Sequence, residues 1–543
     1  MAPTLWLIAI ASCCAAICSG QEVIADDGGV QVLTRGPVHE AFAGVISFES
    51  QPGIIITQAP PNAIEEIPPG EWPEGDFVTW IPGYWAWDDE RGDFLWISGT
   101  WRALPPGQEW MVGYWGKIDQ GYQWTSGYWA DVRVAETTYL PEPPRTVEEG
   151  PNIAAPAADY GWTPGNWMWH QERYAWSPGY WAQGRADWVW VPAHYVWTRR
   201  GYVFVDGFWD HTVQRRGVLF APVYFDRRVY SRPQYSYSPS IVINLSIFSA
   251  HLFVRPRYDH YYFGDYYDRS YINAGYYSSF SYQSSRRGYD PVYSHQRWEH
   301  RDDRDWERRV QNDYQNRRDN ERSRPPRTWE AQRQMDGRGA DFRQNDAMVA
   351  TSFDEYRNRE DGPRKFENVS KGDREVLARR EMDVEKFREQ RRQLEGRGAD
   401  SQPAGREPGP SKIASAKSPI AAKPGREGQG KAAPPEPQRA PRLDMTDRGK
   451  PDAKGKPDSE GKPEPQSRPQ PQSMPQSQSR PQSQPQAKPQ PQARPQSPSR
   501  PPTPESPQSA SPKRSSGKQP PQQSSDTNPK TSEGARQTAK EKK

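Results

Sequence analysis

No cysteine follows residue 18, and no aromatic residue follows residue 400. The first absence leaves the chain beyond its first twenty residues without a disulfide, a thiol nucleophile or a cysteine ligand for zinc. The second excludes a packed core from the last 143 residues. Catalytic signatures are equally scarce. The eight histidines (His39, His170, His194, His211, His251, His260, His295 and His300) show no H-E-x-x-H spacing. There is no G-x-S-x-G elbow and no glycine loop of the kind that cradles phosphates. Asp88, Asp89 and Glu90 match no calcium loop and read as a solvated turn. Beyond residue 20 no apolar run is long enough to cross a bilayer. Catalytic residues, cofactors and metals are therefore expected to be none, and the chain is not expected to be an enzyme.

The first twenty residues, MAPTLWLIAIASCCAAICSG, run apolar from Leu5 to Cys18 and close on small residues. They predict a signal peptide over 1–20, cleaved before Gln21, and export to the periplasm, cell envelope or medium. Ile10-Ala11-Ser12-Cys13 loosely resembles a lipobox, but Cys13 lies early and the stretch before it has no Lys or Arg, so lipidation is not expected.

What the chain has in excess is tryptophan, and 19 of its 23 lie between Trp72 and Trp209. They recur in a frame, aromatic-x-x-Gly-x-aromatic, as in WIPGYW at 80–85 and WSPGYW at 176–181. The first array has four frames: Trp80, Gly83, Trp85; Trp96, Gly99, Trp101; Trp110, Gly113, Trp115; and Trp124, Gly127, Trp129. The second has Trp162, Gly165, Trp167 and Trp176, Gly179, Trp181, then a frame at Trp190 with Ala193 and Tyr195, one at Phe204 with Gly207 and Trp209, and a weak copy at Phe220. The steps are 16, 14, 14, 38, 14, 14, 14 and 16 residues, so fourteen is the unit and the 38 marks a linker.

Within a unit, aromatic segments such as GYQW at 121–124 and RYAW at 173–176 follow turn-like pairs, which predicts short antiparallel strands. Residues five apart in a straight strand point to opposite faces, so the Pro-Gly or Ser-Gly between the two rings is expected to kink the strand and reset the parity. An isolated unit cannot offset its ordering entropy unless both indoles are buried against neighbouring units. The frame tryptophans are therefore assigned to a structural core. Trp87, Trp169 and Trp188, which lie outside the frame, are the candidates for ligand stacking.

These frames resemble the WxxGxW (YxWGxW) repeat family of secreted bacterial proteins, with WIPGYWAWDDERGDFLWISGTW at 80–101 carrying the likeness most fully. The family implies an exported repeat protein and implies little about activity. Ala193 and Tyr195 depart from the pattern and put that unit's kink in doubt.

The expected fold class is mainly β: two antiparallel β-meander arrays of about 14-residue repeats, followed by charged helical segments and a long disordered tail. The expected organisation is an extended N-terminal segment at 21–71, array 1 at 72–130, a linker at 131–160 and array 2 at 161–226. A Tyr-rich region at 227–295 then carries a strand at 241–248. Residues 222–293 hold 15 of the 27 tyrosines and read as a sheet extension with some coil. Residues 296–400, with nearly balanced charge, predict solvated helices. There Leu377, Val384, Phe387 and Leu394 form a sparse heptad-like stripe suited to a helical contact or a short coiled coil. The tail at 401–543 has 30 prolines and a net charge of +13, which leaves about −10 on the remainder.

Two functions fit these features. One is a non-enzymatic structural or interaction protein of the cell envelope, meeting an anionic wall polymer, a glycan or an envelope protein. The other is a carbohydrate- or wall-binding module using exposed aromatic side chains. Export argues against nucleic acid as a partner.

Overall fold

The computed structural model describes residues 29–75, 78–336, 348–359, 365–399 and 410–421. The predicted signal peptide, Cys13 and the tail beyond 421 lie outside the described residues.

Each frame is one strand broken in the middle. Val78–Ile81 stops at Pro82–Gly83 and resumes as Tyr84–Asp88. The next frame runs back as Asp93–Ile97 and Thr100–Ala103. The antiparallel register sets Trp85 opposite Trp96 and Trp80 opposite Trp101. The fourteen-residue frames thus pair two by two into folded double hairpins. We name these module A (78–103), module B (108–131), module C (160–183) and module D (188–211). In B, Trp110 faces Trp129 and Trp115 faces Trp124; in C, Trp162 faces Trp181 and Trp167 faces Trp176. In D, Trp190 faces Trp209 and Tyr195 faces Phe204. The facing rings meet at 5.0–5.3 Å, mostly edge to face, an arrangement favoured by the aromatic quadrupole.

The expected kink is present, and it acts as a corner. The two rings of one frame enter different clusters: Trp80 joins Phe220, Val242 and Phe353, whereas Trp85 joins Phe94, Trp115 and Phe225. The aromatic staple therefore runs between frames and not within one. The frame glycine has a contact reason as well. A Cβ on Gly99 would meet Trp80 Cζ2 at 2.4 Å, one on Gly127 would meet Trp110 Cζ2 at 2.3 Å, and one on Gly179 would meet Trp162 Cζ2 at 2.4 Å. Each frame's first indole is seated on the partner frame's glycine, and only a residue without Cβ leaves room. The exception in D fits the same rule: where residue 193 is alanine, the ring that the pairing brings to it is Phe204, smaller than an indole.

The modules differ in what surrounds them. The strands of A are extended into a four-stranded and a three-stranded sheet by Val30–Val32, Gly217–Leu219 and Val223–Phe225, so the weak frame at Phe220 pairs back on the frame at Trp96. B gains Ile55–Ile56, and D gains Glu136–Leu140 and Ser411–Ala414. C gains no strand, and both of its sheets are two-stranded.

Three expectations outside the arrays are corrected. The strand at 241–248 is limited to Ile241–Ile243, because the Asn244 side chain accepts the Ser246 N–H at 3.2 Å and turns the chain. The strand pairs with Ala350–Ser352, and Val242 is as buried as its neighbours, so both faces are covered. The heptad-like stripe lies on the Lys371–Ala399 helix, whose Leu377, Val384 and Phe387 pack on the repeat region, while Leu394 is only half-buried. Arg391 and Glu395 are buried in its place: Arg391 donates to the Val112 carbonyl at 2.7 Å, and Glu395 accepts from Tyr114 at 2.9 Å. The stripe is thus a docking face on modules A and B. Finally, part of the segment beyond Ser401, expected to be disordered, is folded: Ser411–Ala414 pairs with Glu136–Tyr139, and Ile420 is buried beside Trp110. SKIASAKSPI is the tail's one stretch with two isoleucines and little charge, enough to seat an edge strand.

The tyrosines of 227–295 are mostly interior. Tyr262, Tyr266, Tyr267 and Tyr276 surround Phe253, with Arg255 held over the Tyr276 ring at 4.5 Å.

Candidate functional site: an indole and amide cradle

A corner built from two frames brings polar donors together. The indole Nε1–H of a frame's first tryptophan and the backbone N–H of its glycine, three residues on, point to one spot. In module A, Trp96 donates to Glu66 Oε1 at 3.2 Å, Gly99 N–H donates at 2.9 and 3.0 Å, and Gly83 N–H from the paired frame donates at 2.9 Å. In B, Trp124 donates to Glu40 Oε1 at 3.0 Å and Gly127 N–H to Oε2 at 2.9 Å. In C, Trp162 donates to Glu148 Oε1 at 3.0 Å and Gly165 N–H to Oε2 at 2.5 Å. Three of the four modules thus hold a carboxylate in the same way, and none of the three glutamates belongs to a frame.

Module D supplies the control. Trp124, Gly127 and Trp129 recur eighty residues on as Phe204, Gly207 and Trp209. Phe204 has no side-chain N–H donor, and D's remaining first-position indole, Trp190 Nε1, is buried without a partner, as are Trp80 and Trp101 Nε1 in module A. Module D thus keeps one first-position indole whose N–H has no acceptor.

Glu40 and Glu66 are deeply buried. Burial pushes the Glu66 carboxyl up to about 7, against the pull of the Gly99 and Gly83 amides and the Trp96 indole. Glu40 is likewise raised to about 7 by burial, opposed by Gly127 and Trp124. Around Glu40 lies a buried polar cluster. Tyr84 Oη and His260 Nε2 are 2.9 Å apart, and Ser126 Oγ donates to Asp259 Oδ2 at 3.3 Å. Burial, with the Glu40 charge second, raises Asp259 to about 7 and burial lowers His260 to about 4, so each neutral form is favoured. The cavity there is lined by residues of both arrays, including Trp110, Trp129, His194, Tyr195 and Phe208. Deeper in, Asp210 bridges Arg102 at 2.6 Å and Arg216 at 2.9 Å, and these cations hold its carboxyl below the usual range despite burial.

The candidate stacking residues are not gathered into one platform. Trp87, Trp169 and Trp188 are half-buried and lie in three different modules, each against a neighbour: Phe94 at 5.4 Å, Tyr174 at 4.8 Å and His211 at 4.9 Å. Among the frame tryptophans, the partly accessible indoles are those of module C. Trp162, Trp167, Trp176 and Trp181 are all half-buried, whereas the eight frame tryptophans of A and B are buried.

The glutamates have a signal in the sequence that a search for aromatic frames passes over. Glu66 lies in PPNAIEEIP at 60–68, and Glu148 in PPRTVEEGP at 143–151. Each segment precedes its array by a similar interval and is seated on that array's first module. Trp85 donates to the Asn62 carbonyl at 2.9 Å, and the equivalent Trp167 donates to the Arg145 carbonyl at 3.0 Å. Asn62 and Arg145 occupy the same place in the two segments.

A family model described as a WXXGXW repeat in two copies matches residues 78–102, 158–182 and 185–210, which are modules A, C and D. The chain carries WXXGXW repeats. Each match spans one double hairpin, so the two-copy unit coincides with the two frames that share a corner. No curated protein and no solved structure matches the chain. Among the described residues no group of His, Asp and Glu is arranged to hold a metal, and no helix is long and apolar enough to cross a membrane.

Proposed function

We propose that the protein is a non-enzymatic scaffold of the bacterial cell envelope, exported by its N-terminal segment and acting through assembly with other envelope components. The observation that supports this most is the use of the aromatic repeat. In A and B, the Trp85, Trp96 and Trp124 indoles and the Gly83, Gly99 and Gly127 amides are consumed in holding the chain's own segments, as expected of a stiff structural element. The tail, at +13, supplies an attachment for anionic wall polymer or lipid headgroups. The test compares the full chain with one ending at Ala421. Only the full chain should be retained by anionic wall material at low salt and released by about 0.5 M, where the Debye length falls to a few ångströms. Equal retention of both forms would defeat attachment by the tail.

A second reading, glycan binding, is favoured by the half-exposed indoles of module C. Soluble wall glycans should then change the intrinsic tryptophan fluorescence, and Trp169→Ala should weaken that response. A fluorescence spectrum indifferent to glycan would leave the scaffold reading alone.

A further inference from the structure

The two proline-rich acidic segments are held by similar donors and yet are covered very differently. In 60–68, Ile64 is 5% exposed and Glu66 is 1% exposed. That segment is overlaid by Ser236–Tyr237, which runs parallel to Glu65–Glu66, and its Glu66 N–H donates to Glu381 at 3.2 Å. In 143–151, Val147, which aligns with Ile64, is 54% exposed, and Ile153 just beyond is 64% exposed. Among the described residues no strand overlies it, and module C gains no strand from elsewhere. Side-chain donors of C hold it: Trp167 on the Arg145 carbonyl, Trp162 on Glu148, Trp181 on the Ile153 carbonyl at 2.9 Å, and Tyr174 on the Pro141 carbonyl at 2.6 Å.

We propose that module C is a peptide-recognition site for an extended Pro-Pro-x-x-aliphatic-Glu-Glu segment, occupied in this chain by its own linker and open to exchange with the same linker of a second copy. This rests on the scaffold reading above and gives it a means of joining copies. The chemistry is that of extended-peptide recognition. Proline keeps the segment preorganised, indole N–H groups read two main-chain carbonyls, and the corner reads one carboxylate. A segment tethered at both ends faces its site at an effective concentration on the order of millimolar, so a free competitor enters only when the tethered copy is weakened. Exposure of Val147 and Ile153 leaves the linker few apolar contacts to lose on release. The 60–68 segment, pinned by its buried Ile64 and Glu66 and by the strand paired alongside, is not exchangeable.

The probe is a fluorescent peptide of residues 141–154 added to the full chain. Glu148→Gln in the protein weakens the tethered linker without altering the receptor, and it should raise peptide affinity about tenfold or more, the scale of a lost charge-assisted hydrogen bond. Glu148→Ala provides the same test should the amide remain seated. A peptide with glutamine in place of Glu148 should bind about tenfold more weakly. Adding Trp162→Phe, which removes only the indole donor, to the Glu148→Gln protein should reduce binding similarly while circular dichroism stays unchanged. Sedimentation of the unlabelled chain at rising concentration should show self-association that excess peptide reverses. No peptide binding by either folded Glu148 variant up to millimolar concentration would overturn the proposal, as would binding indifferent to the glutamate. Neither result depends on the tail or on glycans, so wall attachment and this exchange fail independently.

Discussion

Modules A and C are built from the same frames, with the same cross-strand pairs and a carboxylate held by one frame, the second in A and the first in C, and differ in what covers them. The indoles of A are enclosed by added strands, by Phe220 and Phe225 and by the Lys371–Ala399 helix, whereas C, which gains no strand among the described residues, is met by its linker, by Tyr195 of module D and by the Pro291–Glu299 helix through Trp298. Even the turn differs. A reverses through Gly92 at φ +62°, while C places Gln171 and Glu172 at φ +47° and +61°, where a side chain is strained. The frame therefore specifies a local shape, and the surroundings decide whether that shape becomes core or surface.

The largest expected effect separates the modules directly. Trp96→Ala in A should destabilise by about 3–5 kcal/mol, as a fully buried large-to-small change, whereas Trp176→Ala in C should cost about 1–2 kcal/mol, because part of that ring is already solvated. Urea melts of the two variants measure the difference, and equal losses would erase the distinction.

Next is the pH response. Glu40 and Glu66 sit near 7 in the folded chain and near their ordinary 4.5 when unfolded, so the folded state holds these protons more tightly. Their contribution to stability is full below about 4.5 and is lost as pH rises through about 7. Asp210, held below its ordinary value, acts in the opposite sense at the acid end. The Glu40→Gln, Glu66→Gln double variant should flatten the slope of melting temperature against pH between 5 and 7, and an unchanged slope would contradict the assignment to these two carboxyls.

A smaller effect probes the corner itself. Gly99→Ala forces a Cβ to within 2.4 Å of the Trp80 ring and 2.7 Å of the Ile81 carbonyl, and it should cost about 1–3 kcal/mol as overpacking. Gly161→Ala, with nothing within 4 Å of the added carbon, should change stability by less than about 0.5 kcal/mol. Thermal melts compare the two, and a harmless Gly99→Ala would remove the steric account of the frame glycine.

The fourteen-residue period, the antiparallel pairing and the core role of the A and B tryptophans were legible in the sequence, because aromatic spacing and turn chemistry are local signals. The break at each Pro-Gly or Ser-Gly was legible too, although its result is a corner that sends Trp80 and Trp85 to separate clusters. What the aromatic pattern could not show is the third partner of each corner. Glu66 lies 30 residues from Trp96 and Glu40 lies 84 from Trp124, in segments whose composition reads as coil. Burying such a carboxylate depends on donors that form only when two frames pair. The half-exposure of module C was hidden for a related reason: its frames are as regular as those of A, and the difference lies in strands contributed from elsewhere in the chain.

The central claim is that the indole N–H of a frame and a distant glutamate act as one unit. A double-mutant cycle of Trp96→Phe and Glu66→Gln, followed by chemical denaturation at pH 8, tests it most directly. The account expects a coupling of about 1–3 kcal/mol, the scale of a buried hydrogen bond to a charged acceptor. Additive losses, with coupling below about 0.3 kcal/mol, would contradict it.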